Sequence, residues 1–256
     1  MLNSTLQANL HAILVSIAVI SVQSPLAEDF PFRKDFSDVK VMEIDTLFGS
    51  LKKCLVVDVR SKLEFSVIHI NGAVHIPLSK SKFEEVVSEE KQKNKKSCVV
   101  FYCNGHTCKK SYKASRKTKS ISNNFAYDAG IFDWATKYTN KTILLGKPLR
   151  NASDLISKNE YAKYEVSKEE ALKNSASFNV IDTRTFFQRT EKKLPFKNVK
   201  RIPMQRIRPL LKRKIIEDKD LLFIDAVGKQ NKWLQYYLKE YGYENYKFLK
   251  GGSASL

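Results

Sequence analysis

Four short landmarks occur twice along this chain, in the same order and at a nearly constant spacing of 122 to 126 positions. Most of them lie where an apolar run meets polar residues. The pairs are Asp58-Val59-Arg60 with Asp182-Thr183-Arg184, Ile76-Pro77 with Ile202-Pro203, Val100-Phe101-Tyr102-Cys103 with Leu222-Phe223-Ile224-Asp225, and Ala129-Gly130 with Gly251-Gly252. Recurrence in a single order predicts two copies of one fold.

Short β-branched runs alternate with amphipathic or charged segments in both copies. The run from Cys54 to Arg60 predicts a buried parallel strand, and Ser81 to Lys96 predicts a charged surface helix. Alternating strands and helices predict an α/β fold in which each domain has a central, mostly parallel sheet flanked by helices. Residues 147–165 have few apolar side chains, which indicates a linker between domains at 38–146 and 166–256.

The chain carries 45 Lys and Arg against 27 Asp and Glu, a net charge of +18. This surplus is compatible with an acidic protein partner, but a general lysine-rich usage bias is the favoured explanation, because no basic face recurs at helical spacing. No zinc-finger spacing or RNA-recognition motif is present, so nucleic acid is not an expected partner. The four cysteines form no CxxC pair and no cysteine–histidine spacing, so we expect no metal and no cofactor.

Residues 1–27 contain no Lys, Arg, Asp or Glu, and the segment from Leu10 to Val22 is mostly apolar. Thirteen residues are short for a membrane span but suit the core of a signal peptide. An uncleaved anchor, attaching the protein to the inner membrane, and a buried N-terminal helix are the alternatives. We therefore expect a periplasmic or otherwise exported protein.

The apolar run Val99 to Tyr102 ends at Cys103, and a polar loop follows before a segment that could open a helix. A thiol at a strand-to-helix turn faces free backbone N–H groups and the positive end of the helix dipole, which stabilise a thiolate and hold an anion beside it. The alternative is a buried strand cysteine followed by an ordinary loop. The residues of this stretch alone do not decide between the two.

Several further motifs accompany this turn, and their order is specific. The first copy has Asp58-Val59-Arg60, Glu64-Phe65, His69 to Pro77, Phe101-Tyr102-Cys103 and Ala129 to Trp134, and the second has Ile181 to Arg184, Arg201-Ile202-Pro203, Lys232 to Tyr241 and Leu249 to Gly252. With these motifs the chain resembles the rhodanese family of sulfurtransferases, in tandem form, over about residues 38–256.

The resemblance implies that Cys103 is catalytic, taking a sulfane sulfur from thiosulfate or a persulfide donor and passing it from a persulfide to a thiol or cyanide. It also implies Asp58 and Arg60 as structural residues near the site. Asp225 stands in the place of the nucleophile in the second copy, and a carboxylate does not carry sulfane sulfur, so that copy is expected to be inactive. The implied substrate- and oxyanion-binding residues are Asn104, Gly105, His106, Thr107, Lys109 and Lys110.

The loop that follows Cys103, which is expected to bind the substrate, differs from the family pattern in length and composition. The usual loop has four residues between the cysteine and an arginine, whereas here six residues separate Cys103 from Lys110 and no arginine is present. Lysine lacks the planar fork that binds an oxyanion through two hydrogen bonds. The resemblance therefore carries over the fold but not a substrate preference.

Two loop residues and one cysteine pair leave alternatives open. Cys108 could resolve a persulfide or sulfenate by forming a disulfide with Cys103, or simply pack the loop. His106 could transfer a proton, although loop polarity is the favoured role. Cys54 and Cys98 each begin a strand that the fold places as neighbours; two free thiols are the commoner outcome, and a disulfide is the alternative.

Two other classes of function compete with sulfur transfer. The run from Arg189 to Lys214 is strongly basic, which favours a non-catalytic or redox-regulated binding module for an acidic periplasmic partner. A solvated face is the alternative interpretation of that run. The elongated loop also suits a phosphatase-like or oxyanion-reducing site for larger tetrahedral anions, but the missing arginine argues against it.

Overall fold

A computed structural model of the chain describes residues 30–256. The signal peptide or membrane anchor predicted at 1–27 lies outside the described residues. None of the helices in the described part of the chain has the length and apolar character needed to cross a bilayer.

The first sheet has four parallel strands with the spatial order β3-β1-β4-β5. Every residue of the central β1 strand is buried, as expected for a β-branched run covered on both faces. Val41 extends the far edge through a parallel bridge to Ala126. The strands are β1 (Cys54–Asp58), β3 (Val74–His75), β4 (Cys98–Tyr102) and β5 (Asn124–Tyr127).

Five helices cover the two faces of this sheet. Successive residues of β1 point to opposite faces, so Leu55 and Val57 pack with Phe83 while Val56 packs with Trp134. Burying an aromatic side chain of this size contributes roughly 1.5–3 kcal/mol. The helices are α1 (Ile44–Ser50), α2 (Lys62–Val67), α3 (Phe83–Lys93), α4 (Lys110–Lys117) and α5 (Gly130–Lys137). The predicted α/β fold is confirmed.

The second sheet has five parallel strands with the order β10-β9-β11-β12-β8. Its first four positions repeat the order of the first sheet, and β8 takes the place of the Val41 bridge. Glu165, in the predicted linker, already belongs to β8. The strands are β8 (Glu165–Val166), β9 (Asn179–Asp182), β10 (Val199–Arg201), β11 (Leu221–Ile224) and β12 (Tyr246–Leu249). The helices are α6 (Lys158–Ala162), α7 (Lys168–Lys173), α8 (Phe186–Glu191), α9 (Met204–Lys212) and α10 (Asn231–Glu240).

A small antiparallel sheet, which we did not predict, joins β2 (Ile68–Ile70), β6 (Thr142–Leu144) and β7 (Lys147–Pro148). The β7 strand lies at the start of the predicted linker, so this part of the linker is paired with the first sheet's unit. Beside it, α2 and α10 pack together, with the Ser66 hydroxyl 2.9 Å from the Tyr237 hydroxyl. One apolar cluster therefore runs continuously between the two units.

The segment before the first sheet, residues 30–40, packs against α4 and the end of β5. Phe36 in this segment is buried and stacks on Tyr112 with ring centroids 4.9 Å apart. Arg33 pairs with the buried Asp128 at 2.8 Å, and Asp128 accepts a hydrogen bond from the Tyr112 hydroxyl. These contacts hold the segment beside the loop that precedes α4.

Candidate active site

The candidate nucleophile lies at the carboxyl edge of the first sheet. Cys103 directly follows β4, and residues 104–109 turn the chain into α4. Gly130, the first residue of α5, faces this loop with a φ of 72°, and a Cβ there would overlap the Gly105 backbone. The close approach therefore requires glycine at position 130. The Ile131 N–H also donates to the Cys103 carbonyl at 3.0 Å, which fixes the base of the turn.

The backbone of the loop offers donors to an anion. Within residues 30–256, the N–H groups of Gly105, His106 and Thr107 have no protein acceptor, whereas the Cys108 N–H donates to the Gly105 carbonyl at 2.8 Å. Successive free N–H groups in a turn form a concave donor site of the kind that binds anions.

A buried ion pair supports the first residue of the loop. The Arg60 guanidinium binds the Asp58 carboxylate at 2.6 Å and 2.9 Å, and both side chains are fully buried. It also donates to the Ile68 carbonyl at 2.6 Å and to the Asn104 side-chain oxygen at 3.1 Å. The side chain of Asn104 is therefore turned toward the Arg60 guanidinium, whereas the backbone of Asn104 forms part of the loop.

Glu64, part of the Glu64-Phe65 motif, is the second residue that binds the Asn104 side chain. Its carboxylate accepts a hydrogen bond from the Asn104 amide at 2.7 Å and from the Ser61 backbone and hydroxyl at 2.9 Å and 2.7 Å. Burial raises the pKa of Glu64, but these hydrogen bonds outweigh it and hold the pKa below its usual value of 4.5. The sequence signal was present, because Ser61 and Glu64 form a capping box at the start of α2.

The two loop lysines predicted to bind substrate, Lys109 and Lys110, have different surroundings. The Lys109 ammonium lies 3.4 Å from Asp35 and 4.3 Å from the centre of the Phe32 ring, so it faces the 30–40 segment. Lys110 is exposed, has no carboxylate partner within residues 30–256, and lines a shallow depression with Arg60 and Ser61. Lys110 is therefore the lysine available to an incoming anion.

The imidazole of His106 is bound by Asp133 and Phe30. Its Nε2 lies 2.9 Å from the Asp133 carboxylate, and its ring stacks on Phe30 with centroids 4.3 Å apart. Thr107 is exposed at the tip of the loop. Asp133 was not among the predicted site residues, and no local sequence pattern indicated it because the contact joins the loop to α5, 27 positions further along the chain.

All four cysteines are paired in the structure. Cys103 is bonded to Cys108, with Cα atoms 6.4 Å apart, and Cys103 Sγ lies 3.4 Å from the Cys108 carbonyl oxygen. Cys54 is bonded to Cys98, with Cα atoms 4.4 Å apart. Free thiols at Cys54 and Cys98, which we expected as the commoner outcome, are therefore not what the structure shows. The physical reason is register, because β1 and β4 place these two residues directly opposite each other.

In the second unit, the Asp225 carboxylate occupies the turn that corresponds to the Cys103 loop. Asp225 follows β11, and its buried carboxylate accepts hydrogen bonds from the N–H groups of Gly228 and Gln230. Burial raises the pKa of the Asp225 carboxyl, and the hydrogen bonds from these N–H groups lower it. Burial is the larger effect, so the pKa lies above its usual value. Gly252 faces this loop as Gly130 faces the first one. Asp182 and Arg184 repeat the buried pair at 2.9 Å.

The predicted basic run is largely exposed, and Arg206, Arg208, Lys212, Arg213 and Lys214 all lie at the surface. Arg208 packs over the Tyr237 ring and donates to the Tyr241 hydroxyl at 3.2 Å. Another part of the run lines a groove beside α8 and β10, flanked by Phe186, which is 65% exposed. The basic residues of this groove other than the buried Arg184, here called the basic groove, are Arg189, Lys193, Lys197 and Arg201. Within residues 30–256 no group of three or more His, Cys, Asp or Glu is arranged to hold a metal ion.

Comparisons with known proteins bear on the first unit. The family model described as the rhodanese-like domain matches residues 44–137. A search of curated proteins found no significant match to this chain.

Solved structures similar to this chain include a thiosulfate sulfurtransferase from Pseudomonas aeruginosa, with 16% identity and a TM-score of 0.40 over 85% of this chain and 42% of that one. A Bacillus halodurans protein has 20% identity and a TM-score of 0.36 over 48% of this chain and 90% of that one. The 3-mercaptopyruvate sulfotransferase SseA of Escherichia coli has 13% identity and a TM-score of 0.31 over 84% and 98%. This chain thus spans less than half the length of the first of these. The match to the rhodanese-like domain model covers the first sheet and Cys103.

Proposed function

We propose that this chain is a sulfurtransferase and that Cys103 carries the sulfur. The observation that supports this most directly is the position of Cys103 in a rhodanese-like domain, at the end of a central strand and beside a loop with free N–H groups. The Cys103 thiolate attacks the outer sulfur of thiosulfate, sulfite leaves, and a persulfide remains on Cys103. A thiol or cyanide then takes the outer sulfur and regenerates the thiolate.

The residues of the loop have separate tasks in this proposal. The N–H groups of Gly105, His106 and Thr107 stabilise the persulfide charge, and Lys110 attracts the anionic donor. Arg60 and Glu64 position the loop through Asn104. Because a single lysine does not bind an oxyanion in a fork, the site suits a small persulfide as well as thiosulfate.

Intact mass spectrometry tests the proposal. The reduced Cys108→Ser variant, freed of reductant and incubated with thiosulfate, should gain about 32 Da, one sulfur atom held as a persulfide. Cys103→Ser in the same background should gain nothing. A variant at Asp225 is the matched control and should gain the same mass, because Asp225 follows the equivalent strand of the other sheet. Absence of the adduct, or its persistence in the Cys103→Ser chain, would contradict the proposal.

We infer that the second unit is an inactive copy of the first in a tandem arrangement. The shared strand order, the repeated Asp–Arg pair and the glycine facing each turn support this inference. The Asp225 carboxylate already occupies the N–H groups that would otherwise face a bound anion.

A binding module for an acidic protein is the second candidate function. The basic groove lies next to Phe186 and Phe187, whose exposed fractions are 65% and 77%, and exposed aromatic rings beside Lys and Arg are typical of interaction surfaces. Lys193→Glu combined with Lys197→Glu should abolish capture of such a partner, whereas Cys103→Ser should not affect it. The opposite pattern would favour sulfur transfer alone.

We propose an exported location, periplasmic or attached to the inner membrane through the N-terminus. Two disulfides support an oxidising compartment, where such bonds persist. Fractionation of cells that produce the full chain tests the location, and recovery of the protein in the cytosolic fraction would contradict it.

A further inference from the structure

Cys103 and Cys108 are bonded to each other inside the loop that carries the proposed nucleophile. The strand before the loop and the helix after it are both formed in this state. The loop therefore brings the two sulfur atoms together without disturbing the elements that frame it. Cys103 is fully buried and Cys108 is half-buried, so the bonded form covers the nucleophile and leaves its partner more open.

We propose that Cys108 is a resolving thiol that releases the bound sulfur as sulfide, in a cycle driven by a protein dithiol; this rests on the proposed function of Cys103. The Cys108 thiolate attacks Cys103 Sγ, the inner sulfur of the persulfide. The outer sulfur takes the proton that the Cys108 thiol gives up, the sulfur–sulfur bond to the outer atom breaks, hydrosulfide leaves with the electron pair, and the Cys103–Cys108 bond forms. The sulfane sulfur is reduced by two electrons, and the two cysteine sulfurs are each oxidised by one.

A dithiol closes the cycle. One thiolate of the dithiol attacks the more open Cys108 sulfur, and the Cys103 thiolate leaves, stabilised by the free N–H groups of the loop. The second thiol of the reductant then displaces Cys108 and takes away the new disulfide. Thiosulfate and the dithiol are thereby converted to sulfite, hydrosulfide and an oxidised dithiol, and both protein thiols are restored.

The Cys54–Cys98 disulfide lies at the opposite end of the strands from Cys103. Cys54 and Cys98 begin β1 and β4, whereas Cys103 follows the last residue of β4. A five-residue strand spans about 17 Å, which is too far for exchange between the two pairs. The pair Cys54 and Cys98 thus provides a matched control for the pair in the loop.

A single-turnover experiment without dithiol tests the proposal, since an added dithiol would attack any persulfide directly. The protein is fully reduced, freed of reductant under anaerobic conditions and mixed with one equivalent of thiosulfate. The unsubstituted chain should release one equivalent of sulfide and lose about 2 Da through a Cys103–Cys108 disulfide, mapped by peptide mass. Cys108→Ser and Cys108→Ala should release none and should keep a gain of about 32 Da. The Cys54→Ala/Cys98→Ala variant should behave as the unsubstituted chain does.

The outcomes separate the two proposals. If the unsubstituted chain keeps its persulfide and releases no sulfide, Cys108 is not a resolving thiol although Cys103 carries sulfur. Sulfide release by both Cys108 variants would also overturn the assignment, because another group would then be responsible. If neither Cys108 variant gains mass, Cys103 does not take up sulfur and the proposed function itself fails.

Discussion

The Arg60 guanidinium donates a hydrogen bond of 3.1 Å to the side-chain oxygen of Asn104, the residue that follows the candidate nucleophile. The same guanidinium is bound to Asp58, so the start of the loop is attached to a buried ion pair at the end of the neighbouring strand. Removing one partner of such a pair leaves an uncompensated buried charge, which costs far more than the pair contributes.

Arg60→Ala should therefore lower the free energy of unfolding by roughly 3–5 kcal/mol, because Asp58 stays buried without its partner. It should also slow formation of the Cys103 persulfide by up to about 100-fold, since Asn104 loses a support and small displacements in a site are costly. Denaturant titration measures the first effect and time-resolved mass spectrometry the second.

Arg184→Ala is the matched control, because Arg184 and Asp182 form the same buried pair in the second sheet's unit. It should be destabilised to a similar extent but should form the persulfide at the normal rate. Equal slowing in both variants would show that Arg60 acts through global stability and not through Asn104.

Glu64 should give the stability a distinct dependence on pH. Its pKa is lower in the folded state than its usual value of 4.5, so its contribution is present above that value and is lost as pH falls through the folded pKa. Glu64→Gln removes a carboxylate that accepts three hydrogen bonds and should cost about 1.5–3 kcal/mol at neutral pH. The difference between the two proteins, measured by denaturant titration, should shrink below pH 4.5. A constant difference would contradict this account.

The Cys54–Cys98 bond should stabilise the fold independently of the site. It closes a sequence separation of 44 residues between two neighbouring strands. Its removal in Cys54→Ala/Cys98→Ala should lower the free energy of unfolding by about 2–4 kcal/mol. Reductant should destabilise a Cys103→Ser chain, which retains this bond, and should leave the double variant in that background unaffected. Identical responses to reductant would show that the bond does not form in solution.

The His106→Gln variant tests whether His106 transfers a proton or only contributes polarity to the loop. The imidazole is held by Asp133 and Phe30, and a general acid or base contributes typically 10²–10⁴-fold to a rate. If polarity is its role, the rate of persulfide formation should fall by less than about tenfold, because glutamine keeps a polar group at this position. A fall of about 100-fold or more, with loss of the pH dependence of the rate, would assign proton transfer to His106.

The elements of the fold were predictable because their signals are local. Compact runs such as Cys54 to Arg60, and the spacing that links Cys103 to Asp225, are enough to indicate two similar α/β units. The antiparallel pairing of β2 with β6 was not predictable in this way. It joins residues 68–70 to 142–144, and neither short run carries a turn signal that links it to the other.

The same contrast applies within the candidate site. The loop from Cys103 to Lys110 was recognisable as a strand-to-helix turn, but which side chains face inward depends on distant partners. Lys109 faces Asp35, which belongs to the segment at residues 30–40 and is distant from Lys109 in the sequence. Sequence spacing locates a loop, whereas the orientation of each side chain follows from tertiary packing.

Asp225 should be exchangeable without effect on sulfur transfer, although it is costly to remove. Its carboxylate satisfies the N–H groups of Gly228 and Gln230, so Asp225→Ala leaves buried donors without an acceptor and should lower the free energy of unfolding by about 1–3 kcal/mol. Asp225→Asn keeps one acceptor oxygen and should lose less. Denaturant titration measures both effects. Both variants should form the Cys103 persulfide normally, as intact mass measures. Loss of the persulfide in a folded Asp225→Asn chain would show that the second unit takes part in the chemistry.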